Sequence, residues 1–192
     1  MKNLILASSS PYRRELLTRL QIPFQHASPE VNERRLPNES GQDMVARLAE
    51  EKARALAARF PNHLIIGSDQ AAIFGNAVLG KPHTHERALE QLRAASGQSV
   101  RFETGIALLN TSTDRIQRDT ITFTVHFRKL DDETIDRYLE AEAPFDCAGS
   151  FKAEGLGIAL FSSMEGRDMT SLIGLPLIRL VDMLLEEGVQ VP

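Results

Sequence analysis

Residues 4–17 read LILASSSPYRRELL, and this stretch decides the fold class. Four apolar residues, Leu4 to Ala7, make a short buried strand; Ser8 to Ser10 offer capping hydroxyls, and Pro11 suits the first turn of a helix. Leu16, Leu17 and Leu20 then repeat at helical spacing, with Arg13 and Arg14 left in the first turn beside the serines. A strand running directly into a helix is the opening of an α/β chain. Phe24 to Ala27 reads as a second strand.

The same grammar continues outward. Residues 28–40, SPEVNERRLPNES, hold two prolines and dense charge without an apolar period, so they read as a long loop. Ser40 followed by Asp43 resembles a capping box, and the helix it opens, to about Arg59, turns Met44, Val45, Leu48 and Leu56 inward. LIIGSD reads as a strand ending in Asp69. Thr84 to Ala95 is amphipathic and stops at Gly97; a strand lies in Val100 to Leu109. Between Thr120 and Phe127, Ile121, Phe123, Val125 and Phe127 alternate with Thr122, Thr124 and His126, as in a strand with one solvated face. Asp131 to Glu142 is a charged helix ended before Pro144, and a last helix runs from near Pro176 to Gly188. The expected architecture is a mixed α/β fold, a β-sheet flanked by helices around a central cleft. Residues 1–192 form one domain or two tightly joined lobes.

Composition narrows the function. The 192 residues are 42% hydrophobic and 25% charged, a globular balance, and 22 Lys plus Arg against 26 Asp plus Glu give a net charge of −4. No global positive field exists to hold DNA or RNA, so a nucleic-acid polymer is not an expected partner. Cys147, the single cysteine, cannot form an internal disulfide. The Leu4–Ala7 run is far shorter than a spanning helix or a signal-peptide core, so no membrane partner and a cytoplasmic location are expected.

Two motif matches fail on their chemistry. Gly75 to Lys81 fits the first seven positions of a phosphate-binding P-loop, but Pro82 replaces the hydroxyl residue that holds magnesium and biases Lys81 away from the helix a P-loop opens. His83 and His85 stand two apart with no nearby third ligand, which is not a zinc spacing. What remains is scattered: the serine turn with Arg13 and Arg14, Glu33, Lys52, Asp69, Lys81, and Lys152 with Glu154. Singly, each has an ordinary explanation as a solvated charge, an ion-pair partner or a turn former. Together, hydroxyls and amides at a helix start with Arg and Lys would cradle a polyphosphate, while Glu33 and Asp69 hold a divalent ion or activate water.

The segments LILASSSPYRRELL, GSDQAAIFGNAVLGKP, SGQSVRFETGIAL, DCAGSFKAEGLG and SLIGLPL resemble, in order and over nearly the whole chain, the Maf family of nucleoside triphosphate pyrophosphatases. The resemblance implies a curved sheet with a cleft, related to the fold of the inosine triphosphatases. It implies hydrolysis between the α and β phosphates with a divalent cation such as magnesium or manganese, and a homodimer. By that resemblance Asp69 is the proton acceptor for the attacking water and Glu33 matches a polar cleft position; Glu33 and Asp69 are the carboxylates expected to hold the metal. Ser8, Arg13, Lys52, Lys81 and Lys152 match polar, phosphate-binding cleft positions.

Tyr12, Gln70 and Glu154 stand where the family's pyrimidine branch has Arg, Thr and Gln, and look like the branch that prefers 7-methyl-GTP. Guanine offers N1–H and N2 donors to an acceptor-only Glu154, and methylation at N7 adds positive charge that a carboxylate and a tyrosine ring attract. The expected function is therefore hydrolysis of 7-methyl-GTP to 7-methyl-GMP and pyrophosphate, removing a modified nucleotide. The alternatives are a pyrophosphatase for an unmodified or pyrimidine triphosphate and a nucleotide-binding regulator of cell division.

Overall fold

Ser10 Oγ accepts the Arg13 amide and Pro11 occupies the first turn, so the first helix starts where its capping residues place it. The computed structural model describes residues 3–75 and 77–191. In chain order the elements are β1 (Asn3–Ala7), α1 (Pro11–Thr18), β2 (Phe24–Ala27), α2 (Gly41–Ala55), β3 (His63–Phe74), β4 (Ala77–Leu79) and α3 (His85–Ala95). Then follow β5 (Ser99–Asn110), β6 (Arg115–Phe127), α4 (Asp132–Glu142), a 3-10 turn (Leu156–Leu160), β7 (Phe161–Gly166), α5 (Met169–Ile173) and α6 (Leu177–Glu186). The fold is mixed α/β. Its seven-stranded sheet has the order β2-β1-β3-β5-β6-β7, with β4 paired to β3. β1 runs parallel to β2 and β3, whereas β3–β4 and β6–β7 are antiparallel.

The chain divides into two units. The first takes its described residues from 1–70, 104–121 and 168–192, the second from 71–103 and 122–167. In the first, β1 is buried on both faces, which is why its sequence is a continuous apolar run rather than an alternation. Leu4 and Leu6 join Leu16, Leu17, Leu180, Met183 and Leu184 in one cluster, and Ile5 and Ala7 join Ala53, Leu56 and Ile65 in another. Each such Leu or Ile contributes about 1.5–3 kcal/mol by leaving water. In the second unit the core is aromatic. Phe102, Phe127, Phe151 and Phe161 meet edge to face, with centroids 4.8 Å apart for Phe151–Phe161 and 5.2 Å for Phe102–Phe151. Gly149, at φ +79°, carries the chain close over the Phe102 ring, and α3 packs on α4.

One packing detail places the chemistry. A Cβ on Gly67 would lie 2.0 Å from the Ala49 carbonyl oxygen, and one on Gly105 would lie 2.1 Å from that of Val45. These two glycines form a bare floor on β3 and β5, and α2 rests its backbone on it through Ala49 and Ala53. Lys52, one residue from Ala53, is thereby brought over β3.

Two sequence expectations change. Asp69 does not end its strand: β3 continues to Phe74 because Ala71, Ala72 and Ile73 are buried and residues 72–74 pair with 77–79 in a hairpin. That hairpin also occupies the failed P-loop match, whose Asn76 lies outside the described residues; no helix opens at Lys81. The helix expected to reach Arg59 closes at Ala55, where Leu56 and Phe60 continue it only as turns.

Candidate active site

In the first unit, three elements and a loop deliver charged side chains to one point. Successive strand residues face opposite ways, so Gly67 and Asp69 face α2 while Ser68 and Gln70 face α5. On the α2 side, Lys52 Nζ lies 2.6 Å from Asp69 Oδ1 and 2.7 Å from Glu33 Oε1. The lysine and aspartate side chains are 7% and 11% exposed, the glutamate 61%. One ammonium thus joins a buried acid on a strand to an exposed acid on a loop. Stripping either partner from such a buried pair leaves an uncompensated charge, a loss of about 3–5 kcal/mol.

Arg13 adds a second cation. It is half-buried on α1, and its Nε–H donates to the Gly174 carbonyl at 2.8 Å. Desolvation draws its guanidinium below the usual arginine value, while the negative charges of Asp69 and Glu33 act in the opposite direction. Buried Ser8 ends β1 and its Oγ accepts the Ser10 amide at 3.1 Å, which shapes the turn into α1. Tyr12 is half-buried one position before Arg13.

On the opposite face of β3, Gln70 Nε2 lies 2.7 Å from the Ser171 carbonyl, 3.0 Å from that of Leu172 and 3.1 Å from Thr104 Oγ1. Those partners fix the amide orientation, since carbonyls accept only from nitrogen. The donor end of Gln70 is engaged by protein.

The remaining sequence candidates lie in the second unit. Lys152 Nζ donates to the Glu142 carbonyl at 3.0 Å and sits 3.5 Å from its carboxylate, while the Lys152 amide donates to the Tyr138 hydroxyl at 3.1 Å. Glu142 Oε2 also accepts the Leu156 amide at 2.7 Å. Two residues of α4 therefore tie down the segment that carries Lys152 and Glu154. Burial pushes the Tyr138 phenol above its ordinary value, so it stays a neutral hydroxyl for that amide. Glu154 and Lys81 are exposed.

The structure joins Arg13, Glu33, Lys52 and Asp69 around one point, sets Ser8, Tyr12 and Gln70 on the elements that frame them, and joins Lys152 to α4. Sequence reasoning missed Ser68, Thr104 and Gly174, which act through the α5 segment, and Tyr138 and Glu142, which brace Lys152. Ser68, Thr104 and Gly174 lie within the quoted segments GSDQAAIFGNAVLGKP, SGQSVRFETGIAL and SLIGLPL; Tyr138 and Glu142 are ordinary helix residues until their partners are known. Among the described residues no group of three or more His, Cys, Asp or Glu is placed to hold a metal ion.

A family model described as Maf-like protein matches residues 3–187. A protein of Pseudomonas aeruginosa named 7-methyl-GTP pyrophosphatase is 65% identical over 192 residues, covering 100% of both chains. One of Pseudomonas savastanoi pv. phaseolicola with the same name is 66% identical, again over 100% of both. Among solved structures, the Ham1 protein of Staphylococcus aureus superposes with a TM-score of 0.48 and 14% identity, over 67% of this chain and 73% of that one.

Proposed function

This chain belongs to the Maf-like family, and from that premise we propose that it is a 7-methyl-GTP pyrophosphatase, hydrolysing its substrate between the α and β phosphates to 7-methyl-GMP and pyrophosphate. Full-length identity to relatives of that name supports the substrate. The observation that carries the chemistry is the Lys52 ammonium bridging buried Asp69 and exposed Glu33, with Arg13 near enough to feel the charge of both acids.

Lys52 holds Asp69 Oδ1 and so orients the carboxylate, leaving Oδ2 to accept the proton of the attacking water. A base fixed in this way is worth about 10² to 10⁴ in rate. Arg13, with Lys52, supplies positive charge where the leaving pyrophosphate gathers negative charge, and Lys81 and Lys152 are the further cations proposed for the phosphates. Glu154 accepts from guanine N1–H and N2, Tyr12 offers its ring to the N7-methylated cation, and Gln70 presents Oε1.

A divalent cation fits these residues in one particular way. Glu33 and Asp69 each place one oxygen on the Lys52 ammonium, and with their other oxygens they would hold magnesium, which is commonly bound by one or two carboxylates with water and substrate phosphates completing its shell. Magnesium or manganese would supply charge neutralisation on the phosphate oxygens. Among the described residues no helix is long and apolar enough to cross a membrane, and we place the enzyme in the cytoplasm as a homodimer.

The test is pyrophosphate release from purified protein with magnesium or manganese across 7-methyl-GTP, GTP, UTP and dTTP. Selective release from 7-methyl-GTP is the expected result. Release from UTP or dTTP instead would keep the family chemistry and remove the roles given to Tyr12, Gln70 and Glu154; binding without any turnover would favour a nucleotide sensor.

A further inference from the structure

The face of β3 turned away from Asp69 is as fully engaged as the face that carries it. Ser68, fully buried, has its Oγ 2.9 Å from the Gly174 carbonyl and 2.9 Å from the Gly105 carbonyl. Thr104 Oγ1 donates to the Ser171 carbonyl at 2.9 Å, and Gln70 Nε2 reaches the carbonyls of Ser171 and Leu172. The end of α5 and the turn after it thus present three carbonyls, Ser171, Leu172 and Gly174, to donors from β3 and β5. The Gly174 carbonyl has one further donor, Arg13 Nε, at 2.8 Å. An sp² oxygen has two lone pairs: Arg13 takes one, and the single Ser68 proton, shared with the Gly105 carbonyl, is directed at the other.

Gly174 is suited to this duty by its backbone. Its φ is +124°, a conformation reserved for glycine, and a Cβ there would lie 3.4 Å from Arg13 Nε. The charges of both Asp69 and Glu33 act on Arg13. Its head is therefore aimed from behind by a main-chain oxygen whose own position is fixed from β3.

We propose that Ser68 and the Gly174 carbonyl are positioning groups for the reaction, holding the Arg13 guanidinium in line with Asp69, with Gln70 and Thr104 fixing the α5 segment that bears the carbonyl. The proposal rests on the catalytic reading of Asp69 and Arg13 given above. It changes the meaning of Gln70: part of its effect on the reaction runs through α5 rather than through contact with the base. A guanidinium that donates Nε–H to a fixed acceptor has the direction of its two terminal nitrogens set by that bond, and misplacing such a group by about 1 Å can cost about 10²-fold.

The experiment uses Ser68→Ala, which removes a hydroxyl without adding volume, and Thr104→Val, which keeps shape and removes the donor to Ser171. For Ser68→Ala, kcat with 7-methyl-GTP should fall roughly tenfold to a hundredfold while KM moves less than about twofold, because Arg13 is misaimed rather than lost. Thr104→Val should give a smaller fall in the same sense. In parallel, hydrogen exchange of the Arg13 Nε–H, followed by NMR against exposed Arg137, should be slow in the parent protein. It should be at least several-fold faster in Ser68→Ala, and a merely structural role for Ser68 would not move it. Unchanged kcat in both variants, or an Arg13 Nε–H that exchanges as fast as that of Arg137 in the parent, overturns the proposal. A parent protein that releases no pyrophosphate overturns the functional reading beneath it, and the exchange measurement distinguishes that failure because it needs no turnover.

Discussion

The two units hold their site residues by different means. In the first, Lys52, Asp69 and Arg13 sit on α2, β3 and α1, regular elements whose backbones touch or are tied by main-chain acceptors. In the second, Lys152 and Glu154 sit on an irregular segment before the 3-10 turn, braced by the side chains of Tyr138 and Glu142. Groups that must meet a transition state within fractions of an ångström gain from regular elements, and groups that choose among bases gain from segments that vary without disturbing the core. On the roles proposed above, turnover falls to Asp69, Lys52 and Arg13 in the first unit, while the choice of base is divided between Glu154 in the second and Tyr12 and Gln70 in the first.

The largest blow to that division is Asp69→Asn. Pyrophosphate release should drop by about 10² to 10⁴, and the thermal midpoint should fall as well, because buried Lys52 loses its buried partner; a folded variant that keeps its turnover would remove the first unit's claim to the chemistry. Next come two glycines that sharpen the contrast. Gly67→Ala drives a Cβ to 2.0 Å from a main-chain oxygen of α2, which neither side can yield, so stability should fall by about 3 kcal/mol by urea titration. Gly155→Ala meets the Glu142 carboxylate at 2.7 Å, the far end of a side chain that can swing aside. Its stability loss should stay under about 1 kcal/mol, and the change should show in the ratio of kcat/KM for 7-methyl-GTP over GTP. Equal losses for the two variants would erase the distinction.

Glu154→Gln should narrow the preference for 7-methyl-GTP over GTP by about tenfold, because it removes the carboxylate charge that attracts the N7-methylated cation, with total turnover little altered. The smallest effect concerns the loop that bears Glu33. The Arg47 guanidinium, hydrogen-bonded to Glu39, holds that carboxyl down to about 2 from its ordinary 4.5. A lowered carboxyl pKa stabilises the fold above the ordinary value, and the gain disappears as pH falls toward 2. Urea midpoints of the parent and Glu39→Gln should therefore differ by under about 1 kcal/mol at pH 6 and converge between pH 4.5 and 2. A constant difference across that range would detach Glu39 from the anchoring of this loop.

Much of the frame was legible in the chain. Ser10, Ser40, Thr84 and Asp131 cap α1, α2, α3 and α4 as their positions predict, and the alternation from Ile121 to Phe127 gave β6 its direction of burial. β3 beyond Asp69 was not legible, because QAAIF mixes faces that are both covered and so shows no period. FSSMEG was missed as β7 because an edge strand with exposed Ser162, Ser163 and Glu165 lacks an apolar face. At the site, residue types pointed to Asp69, Lys52 and Arg13, yet nothing in the sequence showed that Lys52 and Glu33 meet. That pairing depends on a helix lying flush on Gly67 and Gly105, a long-range fact that two glycines in separate strands cannot announce.

That flush seat also governs which changes of length the chain tolerates. Ala49 and Ala53 are one helical turn apart, so the seat sets the rotational phase of α2 as well as its height. One residue inserted between Gly41 and Ala49 would turn everything before it by about 100° relative to the seat and unseat the capped start at Ser40. A residue inserted after Ala49 would carry Lys52 around the helix and away from β3. The loop of residues 28–40, with no such seat, can absorb the same insertion. Among related chains, length should therefore vary in that loop and stay constant from Gly41 to Ala55.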